Sequence, residues 1–119
     1  MARILLAEDD DSLRTFLAAA LVKAGHDVVD FPDGDQALEA LQAMVFDLLL
    51  TDIVMPGIDG VELARRAADI DSNMKIVFIT GFAAVALNPA NQAPSHAKVL
   101  SKPFHLRELV SEVEKVMAA

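Results

Sequence analysis

The stretch Phe46-Asp47-Leu48-Leu49-Leu50-Thr51-Asp52, followed at once by Ile53-Val54-Met55-Pro56-Gly57-Ile58-Asp59-Gly60, sets one carboxylate where an apolar, strand-like run gives way to a proline–glycine turn. Three other short apolar runs end in the same manner. Ile4–Ala7 runs into Glu8-Asp9-Asp10, Ile76–Ile79 into Thr80, and Val99-Leu100 into Ser101-Lys102-Pro103. Read as parallel strands, these runs bring their carboxyl ends to one edge, which is where open α/β sheets carry their chemistry. Several acids, one hydroxyl and one lysine gathered at that edge suit a divalent cation together with a phosphoryl group.

Between the strands the sequence alternates to helical periodicity. Leu13, Phe16, Leu17, Ala20, Leu21 and Ala24 share one helical face, with Asp10 or Asp11 as cap and Gly25 as terminator. Val28-Val29 reads as a short strand ended by Pro32 and Asp33-Gly34. Ala37, Leu38, Leu41 and Met44 form a second stripe. Asp59 can cap a third helix from Gly60 to Ile70 that buries Val61, Ala64 and Ala68. A final helix after Pro103 presents Leu106, Leu109, Val110, Val113 and Met117 on one side. Alternation of strand and helix calls for a parallel sheet covered on both faces. One stretch departs from the pattern: Ala83–Leu87 has room only for a short helix, because Pro89 and Pro94 stop a longer one.

Composition narrows the functions available. A chain of 119 residues suits one domain, 1–119, with a single core and no output domain, and 54% hydrophobic residues can fill that core. No apolar run approaches the roughly 20 residues that span a bilayer. The acidic cluster reached by Glu8 leaves no room for a secretory signal, so the cytoplasm is the expected compartment. Cysteine is absent, which excludes disulfides and thiolate metal sites. With a net charge of −8 and no basic stripe, nucleic acid is not an expected partner.

Taken singly, each residue at the shared edge has an ordinary structural explanation. Glu8, Asp9 and Asp10 can offset a helix dipole, Asp52 can sit in a strand-end turn, Thr80 can be a strand threonine, and Lys102 can be a surface lysine beside a helix-starting proline. Their coincidence at one structural position on four strands favours a site. Crowded carboxylates repel one another, and Mg²⁺, which takes oxygen ligands, removes that conflict. With Asp10 as the cap, Glu8 and Asp9 are left for the metal. The Lys102–Pro103 bond is a candidate for the cis form. His26, His96 and His105 lack ligand spacing and read as surface or capping residues. No glycine-rich phosphate loop follows the first strand, which argues against nucleotide or flavin binding.

Ile4-Leu-Leu-Ala-Glu-Asp-Asp10, Asp47 to Gly60, Val77-Phe-Ile-Thr-Gly81 and Leu100-Ser-Lys-Pro-Phe104 together resemble, from end to end, the receiver domain of two-component response regulators. The resemblance implies a three-layer α/β/α sandwich, flavodoxin- or CheY-like, with a doubly wound parallel sheet in the order 2-1-3-4-5. It implies Asp52 as phosphoacceptor and Mg²⁺ held by Glu8, Asp9, Asp52 and the backbone carbonyl of Val54, with Thr80 and Lys102 contacting the phosphoryl group. The implied donor is a phosphohistidine on a histidine kinase or phosphotransferase, and the only chemistry is the domain's own phosphoryl transfer. Where such domains often carry an aromatic switch residue, three positions before the lysine, this chain has Val99. Phe78–Pro89 and Lys98–Arg107 look like the same segments of stand-alone alphaproteobacterial receivers that control substrate delivery to a Clp-type AAA+ protease in cell-cycle control. The unfoldase of such a protease is then the implied output partner. Phe82 to Ser95, with the helix face near His105 and Arg107, is the expected docking surface.

Two rival classes remain at this point. An aspartyl-nucleophile phosphohydrolase would carry a second acid two residues after the nucleophile, where this chain has Val54. A constitutive interaction module that never carries phosphate is compatible with the missing switch aromatic.

Overall fold

The computed structural model describes residues 2–81, 88, 90 and 92–118. Its elements are β1 (Arg3–Ala7), α1 (Asp11–Lys23), β2 (Asp27–Phe31), α2 (Gly34–Ala43), β3 (Leu48–Thr51), α3 (Gly60–Ile70), β4 (Lys75–Thr80), β5 (Lys98–Ser101) and the last helix, α4 (Leu106–Ala118). The expected short helix at Ala83–Leu87, and the docking residues Phe82, Val85 and Leu87, lie outside the described residues.

The strands form one five-stranded parallel sheet in the order β2-β1-β3-β4-β5. Side chains alternate across a strand, so each strand feeds two cores. Leu5, Ala7, Leu49, Ile76 and Phe78 pack with Ala37 and Leu41 of α2 and Leu63, Ala64 and Ala67 of α3. Ile4, Leu6, Leu48, Leu50, Val77 and Ile79 face the other way, onto Leu17 and Leu21 of α1 and Leu109, Val113 and Val116 of α4. Hydrophobic burial on both faces explains why β1, β3 and β4 are nearly continuous apolar runs. The three-layer architecture and the strand order are those expected.

Local chemistry sets the helix ends. The side chains of Asp10, Asp33 and Asp59 accept from Leu13 N, Gln36 N and Glu62 N, capping α1, α2 and α3. After α1, Gly25 at φ +98° lets its own N–H reach Val22 O while His26 N reaches Leu21 O, a paired closure that needs the left-handed conformation. His105 and Glu108 close the start of α4 reciprocally, with His105 N donating to Glu108 Oε1 and Glu108 N to His105 O.

The α1 stripe needs a correction. Leu17 and Leu21 are buried, but Phe16 is 64% exposed and Ala24 is also exposed. Leu106, on the expected buried face of α4, is exposed as well. The sheet covers only the Leu17–Leu21 line of α1. Phe16, one residue round the helix, faces an open groove of ≈ 600 Å³ between α1 and α4. His26 is half-buried rather than superficial, and its Nδ1 accepts from Ala2 N at 3.1 Å.

The β3–α3 loop is locked by close backbone approach. A Cβ at Gly60 would lie 1.9 Å from the Asp52 carbonyl oxygen, and Gly60 N donates to Ile53 O at 2.8 Å. Gly60→Ala is expected to cost about 1–3 kcal/mol through forced displacement of that loop. Gly81→Ala, where a Cβ meets nothing within 4 Å among the described residues, should stay within about 0.5 kcal/mol of wild type. Urea denaturation of the two variants checks the contrast.

Candidate functional site

Each expected residue is carried to the sheet edge by the end of its own strand. Beyond β1, Glu8 N donates to Phe31 O at 3.1 Å, and beyond β3, Asp52 N donates to Ala7 O at 2.9 Å. The parallel ladder therefore runs one step past both strands and fixes both carboxylates from the main chain. Thr80 ends β4 fully buried. Its carbonyl accepts from Lys102 N at 2.8 Å, so the ends of β4 and β5 are tied together.

Lys102 joins the edge. Its Nζ lies 2.9 Å from Asp52 Oδ2 and 3.0 Å from Glu8 Oε1, although 94 residues separate it from Glu8. The bond to Pro103 is cis. The second oxygen of Asp52, Oδ1, accepts from Ile53 N at 2.7 Å, and Glu8 Oε2 accepts from Asp10 N at 3.2 Å. Thr51 holds the Asp52 carbonyl from below through Oγ1 at 2.8 Å. Glu8 and Asp52 are buried while Asp9 is exposed, and one carboxylate oxygen from each lies within 4.8 Å of the others. Val54, whose carbonyl completes the expected ligand set, has an exposed side chain.

The electrostatics are unbalanced. Burial pushes the Glu8 carboxyl from its ordinary 4.5 up to about 7, against the opposing hydrogen bonds from Asp10 N–H and Lys102, and the Asp52 charge raises it further. For Lys102, burial acts against the charged form, but the hydrogen bonds to Asp52 and Glu8 outweigh it and hold the ammonium above its usual range. One ammonium thus serves two buried carboxylates, with a third beside them. An all-oxygen donor set short of positive charge is the chemistry of a hard divalent cation site.

Structure adds residues that the sequence did not single out. Arg14 donates from Nη1 to the Glu8 carbonyl at 2.8 Å. Asp35, at the start of α2, accepts from Ile58 N at 3.4 Å and braces the loop after Asp52. Neither follows a motif spacing, because each acts on the main chain of a neighbouring element. His96 Nε2 lies 3.1 Å from Met74 O, and no histidine approaches the carboxylates within the described hydrogen bonds. Val99 is half-buried against the α2–α3 core.

Sheet order, acidic cluster and bridging lysine define a class. The chain belongs to the response regulator receiver domain family, which it matches over residues 4–114. Across 119 residues it is 65% identical to the response regulator receiver protein CpdR of Brucella abortus (strain 2308), covering 99% of that protein. A response regulator receiver protein from Sinorhizobium medicae WSM419 superposes with a TM-score of 0.89 at 35% identity, covering 98% of this chain and 94% of that one. The response regulator TrrA of Thermotoga maritima, solved in complex with Mg²⁺–BeF, gives 0.86 at 28% identity, covering 98% and 99%. The chain is therefore a signalling module of two-component systems. No helix among the described residues is long and apolar enough to cross a membrane.

The raised Glu8 pKa sets a pH dependence. A carboxyl that holds its proton more tightly when folded contributes stability that is full below 4.5 and is lost as pH rises through about 7. Without metal, wild type is expected to lose stability across that window relative to Glu8→Gln, which has no proton to release there. Thermal melts of both proteins at matched ionic strength check it.

Proposed function

We propose that this chain is a stand-alone receiver in a phosphorelay. Asp52 accepts a phosphoryl group from a phosphohistidine donor, and the altered surface is read by a protein partner. The observation that carries this reading is the Lys102 ammonium held between Asp52 and Glu8, with Asp9 alongside. A structural ion pair would need one carboxylate. Two on one lysine, with a third carboxylate beside them, suit a site that handles further positive charge and phosphate.

In this reading Glu8, Asp9, Asp52 and the Val54 carbonyl hold Mg²⁺. When bound, the ion supplies counter-charge to the phosphoryl oxygens. The chain's own residues do the rest. The Asp52 carboxylate forms a P–O bond as the P–N bond to the donor imidazole breaks, and the ring nitrogen keeps the electron pair. Positioning and charge stabilisation carry such transfers. Ile53 N–H and the Thr51–carbonyl contact keep Asp52 aimed.

The acyl phosphate brings about two negative charges. Lys102 then pairs with its oxygens, and the buried Thr80 hydroxyl turns to them. Because Lys102 N is bonded to Thr80 O, the two responders move as one edge. Two charge-assisted hydrogen bonds of about 1.5–3 kcal/mol each match the roughly 5.5 kcal/mol that inverts a 1:99 equilibrium.

The output partner in this reading is the unfoldase of a Clp-type AAA+ protease, so that phosphorylation regulates substrate delivery. The resemblance of Phe78–Pro89 and Lys98–Arg107 to stand-alone receivers with that role, together with the 65% identity to CpdR, supports it. For the donor, the exposed Phe16 and Leu106 beside the cations Lys23 and Arg107 offer an apolar, positively rimmed groove on a chain of net charge −8.

Incubation with Mg²⁺ and a small acyl phosphodonor, followed by intact mass, should show one added phosphoryl group in wild type and none in Asp52→Asn. Affinity capture with the unfoldase should then differ between the phosphorylated and unphosphorylated forms. Turnover of donor without an adduct would point to a hydrolase, and no adduct to a constitutive module.

Phe16→Glu is expected to slow transfer from a phosphohistidine donor by about tenfold, the size of one interface anchor. Labelling by the small donor should be unchanged. A comparison of the two rates in the same preparation reads this directly.

A further inference from the structure

We infer that Arg14 is a positioning residue for the acidic cluster, fixing the main chain from which Glu8 and Asp9 project. The inference deepens the Mg²⁺ reading above and rests on it. Arg14 lies on the second turn of α1 with its side chain only 16% exposed, and its guanidinium joins three elements. Nη1 donates to the Glu8 carbonyl at 2.8 Å, Nη2 to Asp11 Oδ1 at 2.7 Å, and Nε to Asp30 Oδ2 on β2 at 3.1 Å. The Glu8 carbonyl belongs to the peptide that carries Asp9 N–H. Holding that oxygen sets the plane in which the chain leaves β1 and hence the direction of the Asp9 carboxylate.

The position needs such a clamp. Glu8, Asp9, Asp10 and Asp11 are four consecutive acids, and their repulsion favours an open turn. Glu8 N fixes the peptide before Glu8 to Phe31 O, and the Arg14 bond fixes the peptide after it, so Glu8 is held from both sides. A rigid, planar guanidinium presents three separate nitrogens to three acceptors in a fixed fork, whereas an ammonium offers its three donors from one point on a flexible stem.

Charge and geometry predict opposite signs. As a plain cation near a cation site, Arg14 would weaken metal binding, and its removal would strengthen it. As a clamp, its loss leaves Asp9 misdirected and weakens binding. Outer groups that orient metal ligands typically change affinity by about 10–100-fold.

The test is Mg²⁺ titration calorimetry on wild type, Arg14→Lys, Arg14→Gln and Arg3→Gln, alongside amide hydrogen exchange at Asp9 in the metal-free proteins. Arg3 pairs with Asp27 at the other end of the same strands and controls for net charge. The Mg²⁺ Kd is expected to rise about tenfold or more in both Arg14 variants and to be unchanged in Arg3→Gln. Asp30→Asn keeps Arg14 and removes only its far anchor, so it should show a smaller rise and serves if the Arg14 variants fail to fold. An unchanged or lower Kd in Arg14→Gln overturns the inference. If wild type takes up no Mg²⁺, the metal reading falls, and exchange at Asp9 decides the positioning role. Faster exchange in both Arg14 variants supports it, and equal rates overturn it.

Discussion

Buried negative charge is the constraint around which this domain is arranged. Glu8 and Asp52 sit at the end of a sheet whose two faces are packed largely by apolar side chains, and one ammonium, from the far end of the chain, lies between them. Removing one partner from a buried, hydrogen-bonded charge set costs far more than the set contributes. The arrangement therefore requires that β5 close on β4 with Lys102 in place. It also leaves the balance incomplete: burial raises the proton affinity of Glu8, and the opposing contact with a single lysine does not cancel it. Any cation or phosphoryl group that enters is received by a site already poised on that imbalance.

The second constraint is steric. The residues after Asp52 look like turn punctuation, but three glycines there and nearby are places where backbone meets backbone or side chain. Gly60 abuts the Asp52 carbonyl, Gly34 abuts the Ile58 carbonyl, and Gly57, at φ +76°, abuts the Asp35 carboxylate. Two helix starts are thereby pressed against one loop, and the carboxylate inherits their rigidity. Preorganisation of this kind suits the proposed phosphoryl transfer, a reaction carried mainly by positioning and charge.

Much of this was legible before any coordinates. The four strand ends and the caps at Asp10 and Asp59 follow from apolar periodicity and turn chemistry, because those signals are local or repeat along the chain. The sheet order was implied only by the resemblance to receiver domains, and Asp33 read as a strand-ending turn rather than the cap it is. Glu8, Asp9, Asp52, Thr80 and Lys102 could be grouped since parallel topology sends every strand end to the same edge. What escaped was relational. Phe16 satisfies the helical period yet stands outside the core, since periodicity gives a face but not the width of the layer that covers it. Arg14 reads as an ordinary helix cation until Asp30 is brought beside it by β2. His26 looked superficial because its partner, the Ala2 amide, is 24 residues away.

The burial of the strands is graded across the sheet. β3 is wholly buried and β1 and β4 nearly so, whereas β2 and β5 at the two margins are half open to water. Protein segments open locally in proportion to how little they bury. Asp52, Glu8 and Asp9 therefore stand at the ends of the stiff central strands, while Lys102 hangs from the soft margin. Such a gradient gives the site one compliant member: Asp52 and Glu8 follow strands that bury almost every residue, and Lys102, joined to both and carried on the β5 margin, is the group with freedom to yield.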